Sequence, residues 1–275
     1  MLSASPIYMM WYQGLKEAPD MIRRINRIWT EMHGPQSVHL VSGQEVDDLI
    51  SAEGIDPTSL TMQVRSNLVR LILLADRGGI WADATMLPSV PVGTWLDEHL
   101  VRAHFFAFTN RHRDRLISSW FLGATPDSLI AKRWREIYVD YFRSPRRPNK
   151  KAPLHVRMRQ ELRRMVAPAS FARKDVAGRS EFYPYHVLHY HFEQLLKTRA
   201  DCAAEWKKVR KVSSAPAGRL KSACAKSSGN LGTDRIADLF SSFPIHKLNW
   251  RKPEIFSKVL DFAERRVSLS DADRP

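Results

Sequence analysis

The first 84 residues alternate between short apolar runs and segments of helical periodicity, and this alternation narrows the possible folds more than any other feature of the chain. PIYMMWYQG is apolar and aromatic and stops at a Gln13-Gly14 turn, which predicts a buried strand. In APDMIRRINRIWTEMH, Met21, Ile25, Ile28, Trp29 and Met32 recur at helical spacing and Asp20 stands near the start, so a helix follows. SVHLVSG predicts a second strand and QEVDDLISAEG a short helix. From Gln63 to Arg77, Val64, Leu68, Leu71, Ile72 and Ala75 form an apolar stripe, with Asn67 and Arg70 three apart on another face. Gly78 and Gly79 stop that helix, because glycine accepts the positive φ that helix ends often need. IWADA is then a third strand, with Asp83 near its carboxyl end. The order predicts an α/β fold with a mostly parallel central sheet, and in open sheets of that kind ligands bind at the carboxyl edge.

Further along, the prolines of MLPSVPV exclude a central strand. HFFAFTN and SSWFLGA predict two more strands, and PDSLIAKRWREIYVDYFRS a helix. SPRRPNKKAP is polar and proline-punctuated, a loop or lid. LHVRMRQELRRMV places Leu154, Met158, Leu162 and Met165 on one face, with Arg157, Arg159, Arg163 and Arg164 around it. His186, His189 and Glu193 share a helical face and could be read as metal ligands, but the surrounding Tyr183, Tyr185, Tyr190 and Phe192 favour an aromatic packing helix. PEIFSKVLDFAERRV closes the chain as an amphipathic helix, so additional helices are expected at the C-terminal end.

Charge is unevenly spread within the formal net of +14. Residues 1–100 carry 7 Lys or Arg against 12 Asp or Glu, whereas residues 111–174 carry 17 against 5, so the middle of the chain attracts polyanions. Zinc-finger spacing, an RNP-type strand and a basic heptad array are all missing from the sequence, so no specific nucleic-acid partner is expected. Two cysteines, Cys202 and Cys224, without C-x-x-C spacing suggest neither a zinc site nor a disulfide framework. With no signal-peptide pattern and no run of 18 apolar residues, the expected place is the cytoplasm, with attachment to the inner face of a membrane through the basic helix as a further possibility.

Several segments in this order resemble the capsular polysaccharide synthesis proteins, which are related to the family 32 glycosyltransferases with their DXD sugar-nucleotide site. They are the first strand ending in Trp-x-Gln-Gly, a helix with Ser-x-x-x-Arg, Gly-Gly-x-Trp-x-Asp with its proline-rich turn, FFAFTNRHRDRLISSWFLGATP, EFYPYHVLHYHFEQLL and IHKLNW. The resemblance implies a GT-A-like nucleotide-diphospho-sugar transferase. Residues 1–252 would form one catalytic domain: a nucleotide-sugar half over 6–100, and an acceptor half over 101–252 with a basic helical insertion at about 143–175. Residues 253–275 would be a C-terminal helix and tail. The donor would be a nucleotide sugar, a UDP-sugar first among the candidates, and the acceptor a surface, capsular or lipid-linked glycan.

By the same resemblance Trp11 would stack on the base and Gln13 line its pocket. Arg70 would orient the acidic site, with Asn67 beside it where the family commonly has Asp. Asp83 would open the DXD, and His246 and Lys247 would reach the diphosphate. A manganese or magnesium ion is implied, with Asp83 as its carboxylate ligand. Thr85 occupies the position of the second carboxylate, which puts metal dependence in doubt and allows a degenerate transferase kept as a scaffold. The competing reading from another class is a polyanion-binding protein without catalysis.

Overall fold

A computed structural model describes residues 5–110, 114–173 and 181–272. Of the basic stretch expected at about 143–175, residues 174 and 175 lie outside the described residues, as do 273–275 of the tail.

The expected alternation is present. Strand β1 (Ile7–Met10) leads to helix α1 (Asp20–His33), β2 (Val38–Val41) to α2 (Gly43–Ser51), and α3 (Met62–Asp76) to β3 (Gly79–Ala82). Local chemistry sets the helix starts. Ser42 accepts a hydrogen bond from the Glu45 backbone N–H and Thr61 one from that of Val64, each supplying a partner for an orphan donor of the first turn. Gly78 and Gly79 have φ of +66° and +104°. A Cβ on Gly79 would lie 2.5 Å from the Pro6 carbonyl oxygen, so the entry into β3 requires glycine on two counts.

Two further strands, β5 (Phe105–Thr109) and β6 (Ile117–Ala124), complete a five-stranded sheet of order β2-β1-β3-β6-β5. β1 pairs in parallel with β2 and β3, and β6 pairs antiparallel with β3 and β5. Four of the five strands therefore run the same way and only β6 runs against them, giving a mixed α/β fold with a mainly parallel sheet. The Phe105–Ala124 hairpin explains β6: its connection is too short for the crossover that a parallel neighbour would need.

Side chains alternate across the sheet with the two-residue period of a strand. Tyr8 and Trp81 enter one apolar layer with α2, α3, α5 (Leu129–Arg143) and α7 (Val187–Thr198). Ile7, Met9, Ile80 and Ala82 enter the other, with α1, α4 (Gly93–Ala103) and the C-terminal helices α9 (Arg219–Lys226), α10 (Thr233–Ser241) and α11 (Ser257–Ala272). The short helix α8 (Ala200–Lys208) supplies Glu205, whose carboxylate accepts from the Ser128 hydroxyl and from the backbone N–H groups of Leu129 and Ile130, so a buried anion closes the N-terminus of α5.

The C-terminal segment folds back onto the first half. Arg24 on α1 donates to Asp261 and Glu264 on α11, both at 2.6 Å. MLPSVPV, as its prolines require, stays outside the main sheet: β4 (Met86–Pro88) forms a separate antiparallel ribbon with β9 (Ile245–Lys247). That ribbon carries residues 245–250 to the carboxyl edge of β3. The proline-rich stretch before α6 (Leu154–Val166) contains β7 (Arg147–Pro148), paired with β8 (Phe182–Tyr183). No helix among the described residues is long and apolar enough to cross a membrane.

Candidate functional site

The carboxyl edges of β1 and β3 open into a cleft of about 450 Å³. Asp83 sits at its base, one residue past β3, and is held from three directions. Arg70 on α3 donates through Nη2 to Oδ1 at 2.9 Å, the Trp81 indole N–H donates to the same oxygen at 3.0 Å, and Lys247 Nζ donates to Oδ2 at 2.9 Å. The Asp83 side chain keeps 30% of its surface exposed. Burial pushes its carboxyl up, but Lys247 and Arg70, helped by the Trp81 hydrogen bond, outweigh burial and hold it below the ordinary carboxylate range.

Arg70 itself is buried within the apolar layer of α3. Its guanidinium lies over the Trp81 ring, 5.0 Å from the centroid, and Nη1 donates to Asn67 Oδ1 at 3.0 Å. Burial lowers its pKa, with Asp83 pulling the other way. Asn67 is in turn fixed by its Nδ2 bond to the Tyr138 hydroxyl at 3.2 Å, so it positions Arg70 with neutral hydrogen bonds. Thr85 also lines the cleft, and its backbone carbonyl accepts from Leu248 N–H, which ties the β4 and β9 segments together beside Asp83.

Trp11 and Trp250 form one aromatic wall, their rings 5.7 Å apart and nearly perpendicular. Trp250, which is 43% exposed, belongs to the IHKLNW segment but carries no signal of its own in the sequence; the β4-β9 ribbon is what brings it here. Arg115 and His189 also line the cleft. Burial pushes His189 down to about 3, with His186, Arg115 and Arg70 adding repulsion, so its imidazole is neutral.

Two expected site residues stand elsewhere. Gln13 lies within the Trp11–Gly14 turn, exposed and outside the cleft lining. His246 is adjacent to Lys247 on β9 and so faces the opposite side. Its ring stacks on Phe240 at 5.5 Å, Nε2 bonds the Phe240 carbonyl at 2.9 Å, and burial lowers its pKa, so it is a neutral core residue turned away from the cleft. The His186, His189, Glu193 set does not converge either: Glu193 pairs with Lys197 at 2.6 Å, while the two imidazoles meet edge to face.

The donor set does not suit a divalent cation. Magnesium and manganese take several oxygen ligands, and among the described residues the cleft lining contains a single carboxylate whose two oxygens already face cations at 2.9 Å. An ionised carboxylate offers about four lone-pair sites. Arg70, Trp81 and Lys247 use three, which leaves room for one more donor on Oδ2. The cleft thus combines two fixed cations, one hydrogen-bond acceptor and an aromatic wall, the groups needed to hold a flat ring, an anion and a hydroxyl together.

The model of the capsular polysaccharide synthesis proteins matches residues 2–150, more than half of the chain. No curated protein matches. Among solved structures the chain is similar to PaToxG glycosyltransferase, at 12% identity and a TM-score of 0.34, covering 74% of this chain and 82% of that one. A likeness that remote bears on neither the roles of residues nor the chemistry.

Proposed function

The chain belongs to the capsular polysaccharide synthesis protein family, and on that premise we propose that it is a GT-A-like glycosyltransferase. It takes a sugar from a nucleotide diphosphate, a UDP-sugar first among the candidates, and transfers it to a surface or lipid-linked glycan at the inner face of the membrane. The observation that carries this reading is Asp83 clamped between Arg70 and Lys247 at the carboxyl edge of parallel strands, opposite Trp11 and Trp250.

In this reading the base lies against Trp11 or Trp250 and the diphosphate turns toward Lys247. The ammonium has three N–H donors, and one is enough for Asp83, so the others are available to phosphate oxygens. Negative charge concentrates on the diphosphate as the sugar leaves. A cation already fixed in a shielded cleft therefore stabilises the transition state more than the ground state. Asp83 has two roles: it holds Lys247 and Arg70 in place, and its remaining lone pair accepts from a ribose or sugar hydroxyl. No step needs a metal.

Calorimetric titration with UDP, GDP and CMP tests the donor class, followed by donor hydrolysis or transfer measured with the matching nucleotide sugar. Binding of a nucleoside diphosphate that is weakened in Lys247→Met supports the reading; a folded protein that binds none of the three rejects it. Binding without turnover would favour a degenerate transferase, for which Thr85 in place of the second DXD carboxylate is the specific motive.

A further inference from the structure

A cavity larger than the Asp83 cleft adjoins it. About 920 Å³ of space lies between α6 and the β8-α7 junction, and it shares Gln63, Tyr185 and His186 with the Asp83 cleft. Tyr190, fully buried, lines this cavity, and its hydroxyl has no hydrogen-bond partner among the described residues. Leu154 and Met158 of α6 form part of the rim.

Those two residues continue into an apolar stripe that stays exposed among the described residues. Leu154, Met158, Leu162, Met165 and Val166 are 64–77% exposed, and Gln160 is the one buried residue of the helix. Five large apolar side chains on one short helix are a contiguous patch, unlike the scattered exposed apolar residues of ordinary surfaces. The surrounding charge states what fits against it. Residues 143–166 carry nine Lys or Arg and one acidic residue, Glu161. Arg164 is engaged by Glu161 and Asp114, whereas Lys150, Lys151, Arg157 and Arg159 are exposed. An apolar stripe bordered by exposed cations has the chemistry of a helix lying in the interface of an anionic bilayer.

We infer that the apolar stripe of α6 seats the protein on an anionic lipid bilayer, so that the adjoining cavity receives the polar head of a lipid-borne acceptor beside the donor cleft. The role given to the cavity rests on the transferase reading; the seat itself does not. A nucleic acid would find the cations but has no use for Leu162, Met165 and Val166. A bilayer uses both.

The test is co-sedimentation of the full chain with vesicles of phosphatidylglycerol and phosphatidylcholine, against vesicles of phosphatidylcholine alone. Binding is expected to require the anionic lipid and to fall with added salt. Replacing Lys150, Lys151, Arg157 and Arg159 by Gln should weaken it by roughly 100-fold or more, since each such charge contributes about fivefold near an anionic surface. A second variant, with Leu154, Met158, Leu162 and Met165 changed to Ser, should also lose binding while its thermal unfolding and UDP affinity stay unchanged, because these side chains support no core. Depth is read with an environment-sensitive fluorophore on M165C, which labels selectively because Cys202 and Cys224 are both buried; its emission should shift to the blue on anionic vesicles. Three outcomes overturn the inference: no binding to anionic vesicles, undiminished binding by the Ser variant, or an oligonucleotide bound in place of vesicles. If vesicle binding fails while UDP still binds, only this inference is lost; if UDP binding fails and vesicles still bind, the transferase reading is the one at fault.

Discussion

Asp83→Asn separates the two roles given to this carboxylate. The change keeps the shape and leaves an amide oxygen able to accept from Arg70 and Trp81, but it removes the negative charge paired with a buried guanidinium and turns an N–H group toward Lys247. Breaking a fully buried ion pair costs about 3–5 kcal/mol. Asp83 retains 30% exposure and Asn keeps part of the hydrogen bonding, so the expected loss is about 2–4 kcal/mol. The loss exceeds that expected for an exposed carboxylate because Arg70 is buried. Urea unfolding at pH 7 measures it, and the pH dependence identifies its origin. Because the folded-state pKa of Asp83 is depressed, its contribution is complete above the unfolded carboxylate value of about 3.9 and is lost as pH falls through the folded value. The wild-type advantage should therefore shrink only in that acid range and stay level above about pH 5. A loss below about 0.5 kcal/mol, or one independent of pH down to acid unfolding, would refute the clamp. The remaining lone pair predicts in addition that folded mutant protein has much reduced sugar transfer.

Trp11→Ala and Trp250→Ala should each weaken UDP binding, and the one that stacks on the base should do so by about 1–3 kcal/mol; calorimetry showing unchanged affinity in both would remove the aromatic wall from the site. His246→Gln should cost about 1–2 kcal/mol of stability through the Phe240 carbonyl bond and leave UDP affinity intact in the same titration, the reverse of what a diphosphate ligand would show. Chelation by EDTA should not alter wild-type UDP affinity, whereas Thr85→Asp, which adds a second carboxylate beside Asp83, should weaken UDP binding without metal and recover it with manganese. Metal-dependent binding in the wild type, or indifference of the Asp variant to manganese, would contradict the account of the donor set.

Much of the fold can be read in the chain because its strands and helices obey different periods. The parallel core β2-β1-β3 follows from three apolar runs each separated by a helix, and the antiparallel β6 from the shortness of the link after HFFAFTN. Within the site, Arg70 and Asp83 are joined by local geometry, one helix and one strand apart. The choice between His246 and Lys247 was not accessible in the same way. Strand alternation says that one of them faces the cleft, but which one depends on the register of β9 against β4, a pairing across more than 150 residues. Gln13 lies off the cleft for a related reason: the strand ends at Met10, and the turn after it leaves Trp11 in the cleft lining and Gln13 exposed outside it. The stripe on α6 reads identically whether a neighbour covers it or not. Periodicity identifies a face without naming its partner.

Arg70 connects stability and site most directly. It is buried beside a layer that contains Val69, Leu71, Leu73 and their neighbours, and an ion pair in such a setting is often no better than well-packed hydrocarbon. Stability alone gives no reason for a charge there. The arrangement becomes intelligible once Asp83 must remain ionised in a mostly buried position and point one oxygen into the cleft: Arg70 is anchored by Asn67 and Trp81, Asp83 is anchored by Arg70, and Lys247 arrives on a carboxylate whose direction is already fixed. An Arg70→Met change that packs well enough to preserve the fold would still leave Asp83 with one cation in place of two. Its carboxyl would then titrate higher and its Oδ2 would no longer be aimed, so donor handling should suffer even where unfolding free energy does not.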